Sequence, residues 1–133
     1  MAGETNLEAL LTSLKPTLTD TRFVYCTCPG PYSDYAELNP IASFQEPEGL
    51  TLVIPKDQAD HAKMAYTSVF RCITLNVYSS LDAVGLTAAV ATKLTAHGIS
   101  ANVIAAYFHD HVFVQEAKAY DALDALSALS QGH

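Results

Sequence analysis

Basic residues are scarce in this chain. Seven lysines and arginines stand against fourteen aspartates and glutamates among 133 residues, and no cluster of basic side chains occurs. Proteins that bind nucleic acid or an anionic membrane surface attract phosphate with such clusters. The net charge of −7 therefore argues against both kinds of partner.

Long apolar runs are missing too. No stretch approaches the roughly 20 apolar residues that a membrane-spanning helix needs. The first residues, MAGETNLEALL, lack the basic and apolar regions of a signal peptide. Cysteine is sparse, and the odd number of three (Cys26, Cys28 and Cys72) is typical of reduced thiols. We therefore expect a cytoplasmic protein.

Apolar residues, in contrast, are plentiful. They make up 50% of the chain, whereas charged residues make up only 16%. This composition predicts a buried core and argues against disorder. The length suits one ordinary domain or two very small ones.

The spacing of apolar and turn residues predicts strands alternating with helices. A capping box at Thr5-x-x-Glu8 predicts a helix that Pro16 ends, and a second box at Ser79-x-x-Asp82 predicts a helix that runs to about His97. Its buried stripe would contain Leu81, Val84, Ala88, Ala91 and Leu94. The other predicted elements are strands at 23–28, 41–44, 50–54, 70–78, 99–108 and 112–115, helices at about 56–63 and 117–130, and a connector at 29–40.

An internal repeat is visible in this order. IASF (41–44) matches IAAY (104–107) in character, and LVI (52–54) matches VFV (112–114). The two registers differ by three residues, which the turn would absorb. The pattern predicts a duplicated α+β unit, and its alternative is a chance similarity of two apolar hairpins.

The segment FRCITLNVYSSLDAVGLTAAVATKLTAHGISANVIAAYFHDHVFVQEAKAYDALDAL resembles an ACT domain, a small regulatory module that binds amino acids beside many metabolic enzymes. The polar turn SSLDAVG and the stretch HGISANVIAA carry the resemblance most clearly. The whole chain is similar to small bacterial tandem-ACT proteins of uncharacterised function. Its layout is also like that of the tandem-ACT cytosolic arginine sensors.

This resemblance implies an α+β, ferredoxin-like antiparallel sheet with helices on one face and two tandem related halves. The halves would be 1–67, with no clear first helix in 29–40, and 68–133. The second half lacks the final strand that the family has. Strand 23–28 or a partner chain would fill the missing edge, and because an unpaired edge invites pairing, we expect a homodimer.

The first candidate site is the turn between the strand at 70–78 and the next helix. Free N–H groups at the helix N-terminus suit a carboxylate, Gly85 in the first turn lets a ligand approach, and Asp82 would receive an ammonium group. The resemblance adds contacts from the neighbouring strand. For Asn102 of that strand, the alternative role is a hydrogen bond to the Gly98–Ser100 loop. The predicted site residues are Ser79, Ser80, Leu81, Asp82, Ala83, Val84, Gly85, Asn102, Val103 and Ile104. A plain helix cap is the alternative interpretation of the turn.

Two other groups contain residue types that bind metals. Cys26-x-Cys28 with Cys72 fits small buried hydrophobes better than a closed zinc site, which takes four ligands at wider spacing. His109, Asp110 and His111 offer metal-ligand or acid–base chemistry, but the repeat equates them with the turn Glu46–Gly49. We therefore predict a two-residue loop, His109-Asp110, with solvent-facing histidines.

The sequence contains no phosphate loop, nucleophile elbow or HExxH motif. We therefore expect a non-enzymatic protein without cofactor or metal. It would bind a small ligand, an amino acid by the resemblance, and regulate a separate protein. One alternative is an ACT-like interaction module that has lost its ligand. Another is a small metal-dependent enzyme that uses His109 and His111.

Overall fold

The computed structural model describes residues 6–78 and 80–132. Two compact units divide the chain: Thr21–Phe70 forms one, and Met1–Asp20 with Arg71–His133 forms the other. The strands are β1 Pro16–Cys28, β2 Ala42–Glu46, β3 Gly49–Pro55, β4 Phe70–Leu75, β5 Asn102–Ala105 and β6 Asp110–Gln115. The helices are α1 Leu7–Thr12, α2 Lys56–His61, α3 Leu86–Ala96 and α4 Ala119–Ser130, and short 3-10 turns occur at Tyr32–Asp34, Ala36–Leu38 and Glu116–Lys118. The expected α+β class is confirmed.

The two units interleave along the chain, because β1 contributes its first residues to one unit and its later residues to the other. The division into halves 1–67 and 68–133 stays a prediction. Within the described ranges, no helix is long and apolar enough to span a bilayer.

The Thr21–Phe70 unit is an antiparallel sheet with the order β2–β3–β1. Alternate residues of β1 and β3 point to one face, so that Cys26 lies opposite Leu52 and Val24 opposite Ile54. That face forms the core with α2. Its buried members are Val24, Cys26, Cys28, Leu50, Leu52, Ile54 and Ala59. Between β1 and β2 the chain forms the first two 3-10 turns and no α-helix, as the connector at 29–40 predicts.

The other unit has the sheet order β1–β4–β6–β5, with α1, α3 and α4 packed against it. Its core joins one face of the sheet to the apolar stripes of the three helices. The largest fully buried side chains there are Leu10, Leu14, Ile73, Leu75, Leu94, Val90, Val112 and Leu126. Ile73 and Leu75 of β4, with Val77 beyond its end, belong to this core.

The first residues of β1 occupy the sheet edge that the sequence leaves without a final strand. Arg71 Nε donates to the Thr19 carbonyl at 3.0 Å, and Thr19 Oγ1 donates to the Cys72 carbonyl at 3.2 Å. Asn76 Nδ2 donates to the Lys15 carbonyl at 2.9 Å and to Thr17 Oγ1 at 2.6 Å. The sequence predicted that strand 23–28 or a partner chain fills this edge. That prediction is wrong for this unit, because β1 extends seven residues further toward the N-terminus and its added residues fill the edge.

The N-terminal helix is shorter than predicted. It begins at Leu7, and the Asn6 side chain caps it by accepting a hydrogen bond from the Ala9 N–H at 3.0 Å. Thr5 of the predicted capping box lies outside the described residues. Asn caps a helix as well as Thr does, so the cap sits one residue later. The helix ends at Thr12, and Lys15 (φ 43°) turns the chain into β1 at Pro16.

The two hairpins of the repeat have equal lengths. Ala42 pairs with Val53 in the first hairpin, and Asn102 pairs with Phe113 in the second. Each residue of the second pair thus lies 60 positions after its counterpart in the first. The predicted match of 41–44 with 104–107, and the three-residue difference in the turn, are therefore wrong. The likeness of IASF to IAAY is one of composition, and composition alone left the register open.

Candidate ligand-binding site

The segment after β4 is a loop and not the start of a helix. The Ser80 hydroxyl oxygen accepts from the Asp82 N–H at 3.1 Å, and the Ser80 carbonyl accepts from the Ala83 N–H at 3.0 Å. These local bonds satisfy the backbone in a turn and compete with a helix. The helix α3 begins only at Leu86, so the predicted capping box is wrong. Ser79 lies outside the described residues.

Gly85 is the N-cap residue of α3, with φ 100° in the region that favours glycine. As a glycine, it offers no side chain to cap the helix. The amide groups of the first turn lie at the positive end of the helix dipole, where a carboxylate can bind. Gly85 is therefore the residue immediately before the first turn of α3, whereas the sequence predicted it within the first turn.

The late start of α3 changes its buried stripe. Leu86, Val90 and Leu94 are buried at a four-residue spacing, whereas Leu81 and Val84 are 64% and 83% exposed. The predicted stripe holds only for Leu94. Leu81 and Val84 fit a helical period in the sequence, but the loop takes them out of the helix.

A pocket of about 120 Å³ lies between this loop, the start of α3 and the base of the β5–β6 hairpin. Its lining consists of Ser80, Leu81, Ala83, Gly85, Leu86, Thr87, Ala105 and Asp110. Four predicted site residues are among them: Ser80, Leu81, Ala83 and Gly85. Asp82 and Val84 belong to the same loop but are exposed and lie outside the described lining.

The strand predicted to flank the site contributes a different residue. Asn102, Val103 and Ile104 lie in β5, but in the described part of the chain only Ala105 of this strand lines the pocket. Asn102 Nδ2 donates to the carbonyl of its paired residue, Phe113, at 3.2 Å. Its side chain thus bonds the adjacent strand and not the 98–100 loop.

Asp110, predicted from the sequence to lie in a turn, lines the pocket. It is only 8% exposed. Burial raises the pKa of Asp110, while the nearby His111 and His109 act in the opposite direction. A largely buried carboxylate that lines a pocket is suited to receive a cationic group.

The hairpin turn lies at Tyr107-Phe108 and not at His109-Asp110. The Ala106 N–H donates to the His109 carbonyl at 3.1 Å and closes the turn, and Asp110 begins β6 opposite Ala105. The predicted loop therefore lies two residues too late. Because the shift is even, each side chain of the strands keeps its face, and the apolar alternation fits both registers.

Both histidines are partly buried and bonded, which corrects the prediction that they face solvent. His109 Nδ1 lies 3.3 Å from the Val77 carbonyl oxygen, and His111 Nδ1 lies 3.0 Å from Thr74 Oγ1. Burial, together with His109, lowers the pKa of His111. Among residues 6–78 and 80–132, no group of three or more His, Cys, Asp or Glu side chains is arranged to hold a metal ion.

The cysteines are free and buried, as predicted for small hydrophobes. Burial, with the neighbouring Cys28, raises the pKa of the Cys26 thiol. Burial also raises the pKa of the Cys72 thiol, and a bond with Thr74 partly offsets it. A raised pKa keeps both thiols protonated and unreactive at neutral pH.

Family models identify two domains of one type in this chain. A model of the ACT domain matches residues 2–71, and a second model of the ACT domain matches residues 67–128. No curated protein gives a match.

Solved structures share the fold over most of the chain. A protein of unknown function from Vibrio cholerae, described as a possible transport protein, is 55% identical, with a TM-score of 0.86 over 93% of this chain and 95% of that one. A protein from Agrobacterium tumefaciens is 15% identical, with a TM-score of 0.74 over 88% and 89%. The ligand-free regulatory subunit of aspartate kinase from Thermus thermophilus is 11% identical, with a TM-score of 0.66 over 88% and 97%. The last two are similar in fold alone.

Proposed function

Because the chain belongs to the ACT domain family, we propose that it is a non-enzymatic regulatory protein that binds an amino acid in the pocket at the start of α3. Its fold is shared with regulatory subunits of aspartate kinase, which supports a regulatory role. The family likeness covers both halves of the chain. The ligand itself is proposed from the chemistry of the pocket.

One observation carries the proposal: the N-terminus of α3 and the largely buried carboxylate of Asp110 line the same pocket. An amino acid is a zwitterion and needs a partner for each of its charges. The amides at Leu86 and Thr87 suit its carboxylate, since they lie at the positive end of the α3 dipole. Asp110 suits its ammonium group, which would restore a charge pair to the buried carboxylate.

Asp110 replaces Asp82 as the proposed partner of the ammonium group. Asp82 is exposed in the loop and is not among the described lining residues. An ion pair with a carboxylate that is exposed to water contributes little binding energy, whereas an ion pair with a buried carboxylate contributes more.

We further propose that the protein works as a cytoplasmic homodimer that regulates a separate protein. Within the described residues, β2 and β5 are edge strands, each at the outer end of its own unit's sheet. Such edges favour pairing with another chain. Ligand binding would order the loop at 80–85 and so shift a two-state equilibrium that the partner protein senses.

The test is a thermal-shift screen of the purified chain against the twenty amino acids and Zn²⁺. A ligand at 100 times its dissociation constant should stabilise the fold by about 2.7 kcal/mol. The matched variants are Asp110→Asn, which removes the buried charge, and Asp82→Asn, which removes the same charge from the exposed loop. We expect the first to lose the response and the second to keep it.

Three results would count against the proposal. A screen in which no amino acid raises the melting temperature would favour the ligand-free interaction module. A response that survives Asp110→Asn would place the ligand elsewhere. A response to Zn²⁺ that is lost in His109→Ala would favour the metal-dependent alternative.

A further inference from the structure

Four large apolar side chains near the pocket are exposed to solvent. Leu81 and Val84 belong to the loop after β4, and Tyr107 and Phe108 form the turn of the β5–β6 hairpin. Their exposed fractions are 64%, 83%, 62% and 59%. Single exposed apolar residues are ordinary on a protein surface, but a group beside a pocket marks a binding surface. We call these four residues the apolar rim.

The apolar rim is continuous with the pocket. Leu81 both lines the pocket and is exposed. The Tyr107-Phe108 turn lies two residues from Ala105 on one side and from Asp110 on the other, and both of these residues line the pocket. The turn therefore stands directly above the hairpin base that forms one wall.

Two contacts hold the turn against the end of β4, where the loop begins. The Phe108 ring packs on the Tyr78 ring with centroids 5.5 Å apart, and Tyr107 packs edge-on against Phe108 at 5.0 Å. His109 Nδ1 bonds the Val77 carbonyl oxygen. Because Tyr78 lies two residues before Ser80, these contacts bring the aromatic turn beside the loop that carries Leu81 and Val84.

Polar groups are concentrated in the pocket. Asp110, Ser80, Thr87 and the start of α3 line it beside several apolar residues. Outside its described lining lie three members of the apolar rim: Val84, Tyr107 and Phe108. A pocket of about 120 Å³ is well below the ~300–1,000 Å³ that encloses a drug-sized ligand. It has room for the charged head of an amino acid, and a large side chain must extend outward.

We propose that the ligand is an amino acid with an apolar side chain, aliphatic or aromatic, which packs against Leu81 and Phe108 while its charged head occupies the pocket. This inference rests on the proposed function. Packing would remove apolar surface from water on both partners, which favours binding. A charged or hydrogen-bonding side chain would find no such gain on the apolar rim.

The experiment is isothermal titration calorimetry of the full chain with glycine, alanine, serine, aspartate, lysine, leucine and phenylalanine. Phe108→Ala is the test variant. Phe44→Ala is its matched control, since Phe44 is an exposed phenylalanine (71%) in the β2–β3 hairpin and lines no part of this pocket. We expect leucine or phenylalanine to bind about tenfold or more tightly than alanine, which corresponds to burial of much of one apolar side chain.

Phe108→Ala should weaken the binding of leucine or phenylalanine about tenfold and leave the affinity for alanine unchanged. Phe44→Ala should behave like the wild type. If amino acids bind but serine, aspartate or lysine binds most tightly, the inference fails while the proposed function stands. If none of the seven binds, both fail. If Phe108→Ala alters the molar mass by light scattering and leaves every affinity unchanged, the apolar rim is a subunit contact and the inference is overturned.

Discussion

Asp110 lies directly opposite Ala105 in the β5–β6 hairpin, and both residues line the pocket at the start of α3. The alanine methyl group offers the carboxylate no hydrogen bond. Burial of a charge costs stability, and such costs are typical of binding sites. Stability of the free protein and affinity for a cationic group therefore oppose each other at this position.

Asp110→Asn should stabilise the free protein at neutral pH. Burial raises the pKa of Asp110 above the ordinary 3.8, so the folded state binds the proton more tightly than the unfolded state does. The charged form then lowers stability, and the loss develops as the pH rises from 3.8 through the raised pKa. We expect a melting temperature a few degrees above that of the wild type at neutral pH, measured by calorimetry.

Asp110→Asn should also abolish the rise in melting temperature that an amino acid causes. Asp82→Asn, in the exposed loop, should leave both the melting temperature and this response nearly unchanged. A lower melting temperature for Asp110→Asn would mean that the carboxylate is stabilised in the free protein.

His111 should make the fold sensitive to mild acid. Burial, together with His109, lowers its pKa below 6.5, although Asp110 acts in the opposite direction. The folded state thus binds this proton less readily than the unfolded state, so stability is present above pH 6.5 and is lost as the pH falls through the lowered pKa. His111→Gln should reduce the decline in unfolding free energy between about pH 7 and about pH 5.

Urea titrations at several pH values measure this decline. His61→Gln, which changes an exposed histidine at the end of α2, is the control and should keep the wild-type slope. An unchanged slope in His111→Gln would assign the pH dependence to another group.

Much of the fold follows from local pattern. Four apolar residues that lie in strands predicted from the sequence are buried: Ile73 and Leu75 in β4, and Leu52 and Ile54 in β3. Gly98 takes the left-handed conformation expected after a helix, at φ 70°. These features depend on neighbours in sequence.

The candidate site was only partly predictable, because it depends on distant contacts. Both hairpin registers satisfy the alternation, so the pattern could not show that Asp110 enters β6 and faces the pocket. The start of α3 was missed because Leu81 and Val84 fit a helical period that the left-handed Gly85 interrupts. The resemblance indicated the loop that contributes four residues to the pocket lining, but not the lining residues Ala105 and Asp110 of the hairpin.

Gly85→Ala should lower both stability and affinity. A non-glycine residue at φ 100° is strained by about 1–2 kcal/mol. The added Cβ would also lie 3.1 Å from the Leu7 Cδ2 atom, which would have to move. Because Gly85 lines the pocket, we expect weaker amino-acid binding by calorimetry as well.

Gly98→Ala is the matched control for this effect. Gly98 also has positive φ, at 70°, but nothing lies within 4 Å of its Cβ position, and it is outside the pocket lining. It should lose similar stability by urea unfolding and keep its affinity. Equal loss of affinity in both variants would attribute the effect to general destabilisation.

Residues 68–133 should not fold as an isolated fragment. Leu10 and Leu14 are fully buried in the core that this segment forms, and the first residues of β1 complete its sheet beside β4. Removing a single buried leucine side chain costs about 2–5 kcal/mol, and the fragment lacks both. Circular dichroism and amide dispersion in NMR spectra should show an unfolded or loosely packed chain.

The double variant Leu10→Ala/Leu14→Ala of the full chain tests the same packing without a truncation, and it should be strongly destabilised. A cooperative thermal transition in the isolated fragment would show that the second half is complete without α1 and β1.

Each chain should bind one amino acid. In the β2–β3 hairpin, Leu50 takes the place that Asp110 has in the β5–β6 hairpin, and Gln45 takes the place of Ala105. Leu50 is buried in the core of its unit and offers no charge. The first two 3-10 turns stand where a helix N-terminus would be needed. The Thr21–Phe70 unit therefore lacks both groups that would hold a zwitterion, and calorimetry should give a stoichiometry of one per chain. A stoichiometry of two, or residual binding in Asp110→Asn, would require a second site in that unit.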